Sequence, residues 1–431
     1  MASYLIQGGQ RLEGEHRVQG AKNSALPILA ATVAARGECV VRGCPDLSDV
    51  RATLAILEYL GCAVKREDGA IVVDSSTLQR CEIPERLMRE MRSSIVFLGP
   101  LLSAAGRAGL SAPGGCEIGE RPIDMHLEAM RSLGVRVVEE GGRLRCDARN
   151  GLKGGRCSLY FPSVGATENL MIAASTAKGV TVLTNAAREP EIIDLAAFLN
   201  ACGAKIHGAG EGTVVIEGVE RLHGAEHTVI PDRITAATFL CAAAATGGEI
   251  LLRDAEPGHM DAMLCVLEQA GCRLRRPGGS QLHLRMPGRP RRLPTVRTMP
   301  YPGFPTDAQA VFMALAALAE GTSIITETIF ESRFRHVSQL RRMGAFIRVE
   351  GRVAVVEGRR FLQGAQVDAC DLRAGAALVV AGLAANGTTC VRQIRHVERG
   401  CEHFEEDLRL LGAHITREED DLGPTEEACQ T

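Results

Sequence analysis

Tryptophan is absent from this 431-residue chain, and aromatic residues make up only 3% of it. A surface of stacked rings for single-stranded nucleic acid is therefore not to be expected. The formal net charge is only -3, which excludes broad electrostatic binding to a polyanion. No apolar run reaches the length of a membrane span without a polar break, and the N-terminus lacks the pattern of a signal peptide. Neither a Gly-x-Gly-x-x-Gly fingerprint nor a Gly-Lys-Ser/Thr phosphate loop occurs. Cysteine is abundant, with 15 residues, but the spacing is irregular and no CxxC pair is present. That pattern fits reduced thiols in a cytoplasmic protein and neither a disulfide framework nor a zinc site. No metal, nucleic acid or membrane is expected as a partner. The basic run from Arg285 to Arg292 contains two prolines and reads as a solvated loop.

What the chain does contain is a unit repeated six times. Each copy closes with a glycine after a helix-period stretch, at Gly61, Gly134, Gly203, Gly271, Gly344 and Gly412, spaced by 73, 69, 68, 73 and 68 residues. A regular interval of this kind governs the whole fold. In the first copy Leu47, Val50, Leu54, Leu57 and Leu60 fall on one helix face. Gly61 then supplies a position where positive φ costs little, and 63–73 reads as a hairpin turning at Asp68-Gly69. A second helix type alternates with the first. It is rich in Ala, Gly and Leu, apolar nearly all round and hence buried. These helices open near Lys22, Arg92, Ser163-Val164, Asp232-Arg233, Asp307 and Asp371. A single core rarely grows beyond about 250–300 residues, so two domains of three repeats are expected. One spans 22–230. The other joins 1–21 to 231–416, with the strand at Tyr4-Leu5-Ile6. An acidic tail over 417–431 is expected to be disordered.

The copies differ where their helices open. Asp46, Asp232, Asp307 and Asp371 read as helix caps. Lys22, Arg92, Arg121, Arg373 and Arg399 are cations that oppose the helix dipole, so as a group they point to an anionic ligand held at converging helix ends. Cys116 sits among Gly114, Gly115 and Gly119 with little apolar neighbour to bury it, and Arg121 nearby would lower its pKa. It reads as a functional thiol on a mobile loop.

At these residues the sequence resembles the UDP-N-acetylglucosamine 1-carboxyvinyltransferases, of the EPSP synthase family. The matching motifs are 20–27 (GAKNSALP), 113–116 (PGGC), 163–167 (SVGAT), 187–191 (AREPE), 304–307 (FPTD), 371–373 (DLR) and 399–400 (RG), in order across nearly the whole chain. The resemblance implies an α/β fold: a two-domain inside-out α/β barrel built from six βαβαββ-type repeats, three per domain. It implies addition–elimination transfer of the enolpyruvyl group of phosphoenolpyruvate to the 3′-hydroxyl of UDP-N-acetylglucosamine, with release of phosphate and no cofactor. This is the first committed step of peptidoglycan synthesis. Lys22, Asn23, Arg121, Arg373 and Arg399 would bind phosphoenolpyruvate. Asp307 would take the sugar hydroxyl proton. Cys116 would protonate the methylene carbon, and would form covalent adducts with phosphoenolpyruvate or fosfomycin. Lys22 and Arg399 would join Cys116 and Asp307 in catalysis. The nucleotide sugar would contact Asn23, Arg92, Arg121, Pro122, Ile123, Asp124, Met125, Ser163, Val164, Gly165, Asp307 and the backbone at Ile329.

The chain departs from some members of the family in carrying Ser48 and Phe161 where they place lysines near the pyrophosphate. A different set of cations would have to neutralise that group, or binding would be weaker. Two other functions compete. A shikimate 3-phosphate enolpyruvyl transferase of the same fold is opposed by the Pro-Gly-Gly-Cys loop and by Ser163-Val164-Gly165. A non-catalytic repeat scaffold has no need of Lys22, Asp307 and Cys116 at its helix openings.

Overall fold

A computed structural model describes residues 2–111 and 122–419, apart from the Arg92 side chain. All six helix-closing glycines adopt positive φ, between 82° and 105°, the left-handed conformation in which a side chain is strained. Asp68 and Gly69 also have positive φ, at 49° and 73°. Their turn joins Ala63–Glu67 to Ala70–Asp74 in an antiparallel pair, as two-residue hairpin turns require.

Among the described residues six small sheets result, one for each repeat. In the first, Glu226–Thr228 runs parallel to Glu38–Arg42, which pairs antiparallel with Ala70–Asp74 and through it with Ala63–Glu67. The sheets around Val180–Thr184, Glu249–Arg253 and Thr322–Thr326 follow the same order. In the sheet around Arg107–Ser111 the parallel strand shrinks to one bridge, between Glu82 and Gly109. In the sixth sheet Ala2–Gln7 lies between Thr388–Arg392 and His414–Glu419, antiparallel to both. Chain ends thus complete the pattern. Strand Glu226–Thr228 closes the first half back onto its first sheet, and Glu13–Arg17 supplies the parallel strand for Glu249–Arg253. The last strand continues to Glu419, which pairs with Ala2, so the expected tail begins three residues too early at Arg417. Residues 420–431 lie outside the described set.

The buried helices are Lys22–Ala35, Leu98–Ala105, Val164–Ala174, Arg233–Thr246, Gln309–Leu318 and Leu372–Leu383. In Arg233–Thr246 every residue from Ile234 to Ala244 is buried, as a helix without a polar face demands. The helices pack in two sets of three, the first with the third and the fourth with the sixth included. Two hydrophobic cores form around them. One gathers residues from Ala21 to Val229. The other gathers Tyr4 to Val18 together with Ile234 to Ile415.

The chain crosses between the cores twice, and the crossings lie side by side. Ala21 N–H donates to the Ile230 carbonyl at 2.7 Å, and Asp232 N–H to the Gln19 carbonyl at 2.9 Å. A Cβ on Gly20 would meet the Gly43 carbonyl oxygen at 1.8 Å, so only glycine fits that approach. A buried ion pair spans the same seam. Arg233 Nε and Nη2 donate to Glu191 Oε1 and Oε2 at 3.0 and 3.3 Å. Tyr301 N–H reaches Glu189 Oε1 at 3.4 Å. Behind them Glu168 is buried, and burial, then Glu191 and Glu189, push its carboxyl up to about 8.

Two predictions follow from this packing. Ile6 is fully buried in the strand that completes the sixth sheet, so Ile6→Ala should cost about 2–5 kcal/mol by denaturant melt. Leu410→Ala should cost almost nothing, since Leu410 is 80% exposed; similar losses for the two would contradict the strand's role. Glu168 keeps its proton in the folded state up to about pH 8 but loses it near 4.5 when unfolded. The folded chain therefore binds more protons across that window, and this group's contribution to stability falls as pH rises. Glu168→Gln should match the parent near pH 4.5 and melt at a higher temperature near pH 8. An unchanged difference across the window would contradict the assignment.

Candidate active site

Helix openings far apart in sequence are linked by charge where the cores meet. Lys22 begins the helix Lys22–Ala35 and is buried. Its backbone N–H points to Asp232 Oδ2 at 3.4 Å, while Asp232 Oδ1 caps Ile234 and Thr235 at 2.8 and 3.0 Å. Lys22 Nζ donates to Asp49 Oδ2 at 3.1 Å. Arg399, from the other core, donates through Nε to Asp49 Oδ1 at 3.0 Å. One buried carboxylate thus joins cations from opposite halves of the chain.

The electrostatics of this group follow from its burial. Burial pushes the Lys22 ammonium below its usual range, Asp49 opposes that shift, and Arg373 and Arg399 add to it. Burial works to raise the Asp49 carboxyl, but Lys22 and Arg399 overcome it and hold the group below the ordinary range. Asp49 lies in the first turn of the helix Ser48–Leu60, where the dipole also favours an anion.

Asp307 forms the second centre. Arg333 Nη2 donates to its Oδ1 at 2.8 Å and Arg373 Nη2 to its Oδ2 at 2.9 Å. Both arginines are buried. Ile329 lies beside this centre through Glu327, which accepts from Ile329 N at 2.8 Å, from Thr298 Oγ1 at 2.9 Å and from Thr306 Oγ1 at 2.9 Å.

A third group lies around the helix Val164–Ala174. Ser163 Oγ caps it by accepting from Ala166 N–H at 3.4 Å. A Cβ on Gly165 would meet His126 Cε1 at 2.8 Å, so glycine here admits the imidazole. Asn169 fixes that ring. Its Oδ1 accepts from Gly99 N–H at 2.7 Å, and its Nδ2 donates to the Ile95 carbonyl at 3.1 Å and meets His126 Nδ1 at 2.8 Å. Nδ1 is therefore the acceptor, which places the proton of the neutral ring on Nε2. Asp124 opens the helix Asp124–Ser132, and its Oδ2 accepts from Tyr160 Oη at 2.7 Å.

The structure brings Lys22, Asp307, Arg373 and Arg399 into one charged network. Asn23 follows Lys22 and is exposed; Pro122, Ile123 and Met125 flank Asp124 at a helix entrance. Arg92 opens the 3-10 turn Arg92–Phe97. Cys116, Arg121 and the Arg92 side chain lie outside the described residues. Three expectations change. Asp46 caps nothing and instead pairs with Arg51 and Arg66. Arg399 ends the 3-10 turn Ile394–Arg399 and does not open a helix. Asp307 also serves as no cap, because both its oxygens face guanidinium groups. Asp49, Arg333, His126 and the Glu191–Arg233 pair escaped the sequence reading. An acid at a helix start and an arginine in a loop are ordinary there, and only burial distinguishes them. Among the described residues thirteen cysteines are free thiols. The Cys401 thiol, close to Arg373, is pushed up to about 12 by burial, which disfavours its thiolate.

Comparison with known proteins gives the family. The profile of EPSP synthase (3-phosphoshikimate 1-carboxyvinyltransferase) matches residues 6–408. UDP-N-acetylglucosamine 1-carboxyvinyltransferase 2 of Caldanaerobacter subterraneus is 50% identical over 417 residues, covering 97% of this chain and 100% of the relative. UDP-N-acetylglucosamine 1-carboxyvinyltransferase 1 of Symbiobacterium thermophilum is 50% identical over 423 residues, covering 96% and 95%. Among solved structures, the enolpyruvyl transferase NikO from Streptomyces tendae superposes with a TM-score of 0.86 at 28% identity, covering 96% of this chain and 98% of that one. EPSP synthase from Acinetobacter baumannii, at 19% identity with coverage of 97% and 100% and a TM-score of 0.74, shares the fold. The chain belongs to the EPSP synthase family of enolpyruvyl transferases, among the UDP-N-acetylglucosamine 1-carboxyvinyltransferases.

Proposed function

We propose that this chain transfers the enolpyruvyl group of phosphoenolpyruvate to the 3′-hydroxyl of UDP-N-acetylglucosamine, releasing phosphate, in the cytoplasm. The product would feed peptidoglycan synthesis, and through it cell shape and division. The observation that carries this reading is Asp49, held between Lys22 and Arg399 from opposite cores. A phosphate entering between the cores would find both cations already gathered there, and the two cores would act as lobes closing on the substrates.

The roles divide by residue. Lys22, Arg399 and Arg121 take the phosphate of phosphoenolpyruvate, with Arg373 and Asn23 beside it. Asp307 accepts the proton of the sugar 3-hydroxyl as that oxygen bonds to C2 of phosphoenolpyruvate. Cys116 gives a proton to C3, so the double bond is lost and a tetrahedral ketal phosphate forms. Elimination reverses the C3 protonation and expels phosphate, restoring the alkene as an enol ether. Cys116 is also the proposed site of covalent adducts at C2 of phosphoenolpyruvate and with fosfomycin. The sugar nucleotide lies along Arg92, Arg121 to Met125 and Ser163 to Gly165. Its pyrophosphate meets the amide end of the helix Val164–Ala174, and Asp307 and the Ile329 backbone hold the sugar.

Phosphate release tests the activity itself. Release is expected with phosphoenolpyruvate and UDP-N-acetylglucosamine together, and none with shikimate 3-phosphate in place of the nucleotide sugar; the reverse pattern would overturn the reading. The Asp49 contact makes a separate prediction. Removing its charge deprives Lys22 of the group that keeps it protonated between two arginines, so Lys22 sheds its proton at lower pH. Asp49→Asn should move the alkaline limb of kcat/KM for phosphoenolpyruvate toward lower pH and reduce it about ten-fold near neutrality, equivalent to ~1.4 kcal/mol. Asp49→Glu should recover most of the loss, whereas an unmoved limb would refute the role.

A further inference from the structure

Tyr160 has an environment unlike that of the other tyrosines. The chain has four tyrosines and no tryptophan. Tyr4 is fully buried, yet the Tyr160 side chain is 68% exposed. Exposed aromatic rings are ordinarily mobile, but this one is tethered, because its hydroxyl donates to Asp124 Oδ2 at 2.7 Å. That bond pushes the phenol above its usual range, with a small addition from burial and the nearby Asp124 charge, so the hydroxyl stays a donor. Next to it Phe161 is 37% exposed. Ser163 N–H then donates to the Phe161 carbonyl at 2.7 Å, a tight turn through Pro162 that leads straight into the helix Val164–Ala174.

The position matters as much as the exposure. Tyr160 is joined to one proposed nucleotide contact, Asp124, and stands three residues before another, Ser163. Three residues of chain span at most about 10 Å, the same order as the ribose and phosphate that separate a nucleobase from its distal phosphate. A planar ring at that remove from a helix amide end, fixed at its far edge by a carboxylate, presents its face at low entropic cost.

We propose that Tyr160, with Phe161 beside it, is the stacking surface for the uracil of the nucleotide sugar and a determinant of affinity for it. This rests on the sugar-nucleotide reading above. Stacking of a base on an aromatic ring is sequence-tolerant and independent of charge.

The test separates ring, hydroxyl and activity. Tyr160→Ala should raise KM for UDP-N-acetylglucosamine about ten-fold, leaving KM for phosphoenolpyruvate and kcat near the parent values. Tyr160→Phe keeps the ring and loses the tether, so its KM should rise less. Because the chain has no tryptophan, its emission comes from tyrosine, and titration with UDP should quench it. That quench should be largely lost in Tyr160→Phe and Tyr160→Ala. An unchanged KM in Tyr160→Ala, a fall in kcat alone, or a quench that persists without Tyr160 would each overturn the proposal. Failure of the parent chain to turn over the two substrates would instead overturn the activity, while the UDP titration would still decide the Tyr160 contact.

Discussion

The double crossing between the cores is the constraint on which the rest of the molecule depends. Ala21 and Ile230, and Gln19 and Asp232, are joined by backbone hydrogen bonds, and Gly20 is pressed against Gly43 too closely for any side chain. Asp232 completes the join. One of its oxygens caps the fourth buried helix and the other receives the first N–H of the first buried helix. The opening residue of one core is therefore registered against the opening residue of the other. Lys22, Asp49 and Arg399 meet only because that register is fixed.

The fold was largely legible in the sequence because its signals are local. A glycine after each helix-period stretch marks a left-handed turn, and all six adopt it. Stretches that are apolar on every side mark helices that must be buried, and they are. Closure of the pattern was less visible, because it depends on pairing across hundreds of residues. Nothing local shows that Ala2–Gln7 pairs between Thr388–Arg392 and His414–Glu419, or that its edge partner continues to Glu419.

The site was legible in part for a related reason. Residues that break a helix-start rule, such as Lys22, stood out against the repeat, as did Arg373 just behind the cap Asp371. Residues that obey one did not. Asp49 in a first helical turn reads as an ordinary dipole partner, and Arg333 reads as a solvated loop cation, until burial shows each facing an opposite charge. Asp46 shows the converse. It looked like a cap and forms a surface cluster with Arg51 and Arg66. The repeat thus fixes the scaffold through what its copies share, and the buried charged network is built from what they do not share.

The central claim is that both substrates are held at the seam between the two cores. The most direct measurement is a crystal structure of the chain with UDP-N-acetylglucosamine bound. The account predicts the sugar 3-hydroxyl within hydrogen-bond reach of the Asp307 carboxylate and the pyrophosphate at the opening of the helix Val164–Ala174. A nucleotide sugar bound to one core alone, away from Asp307, would contradict it.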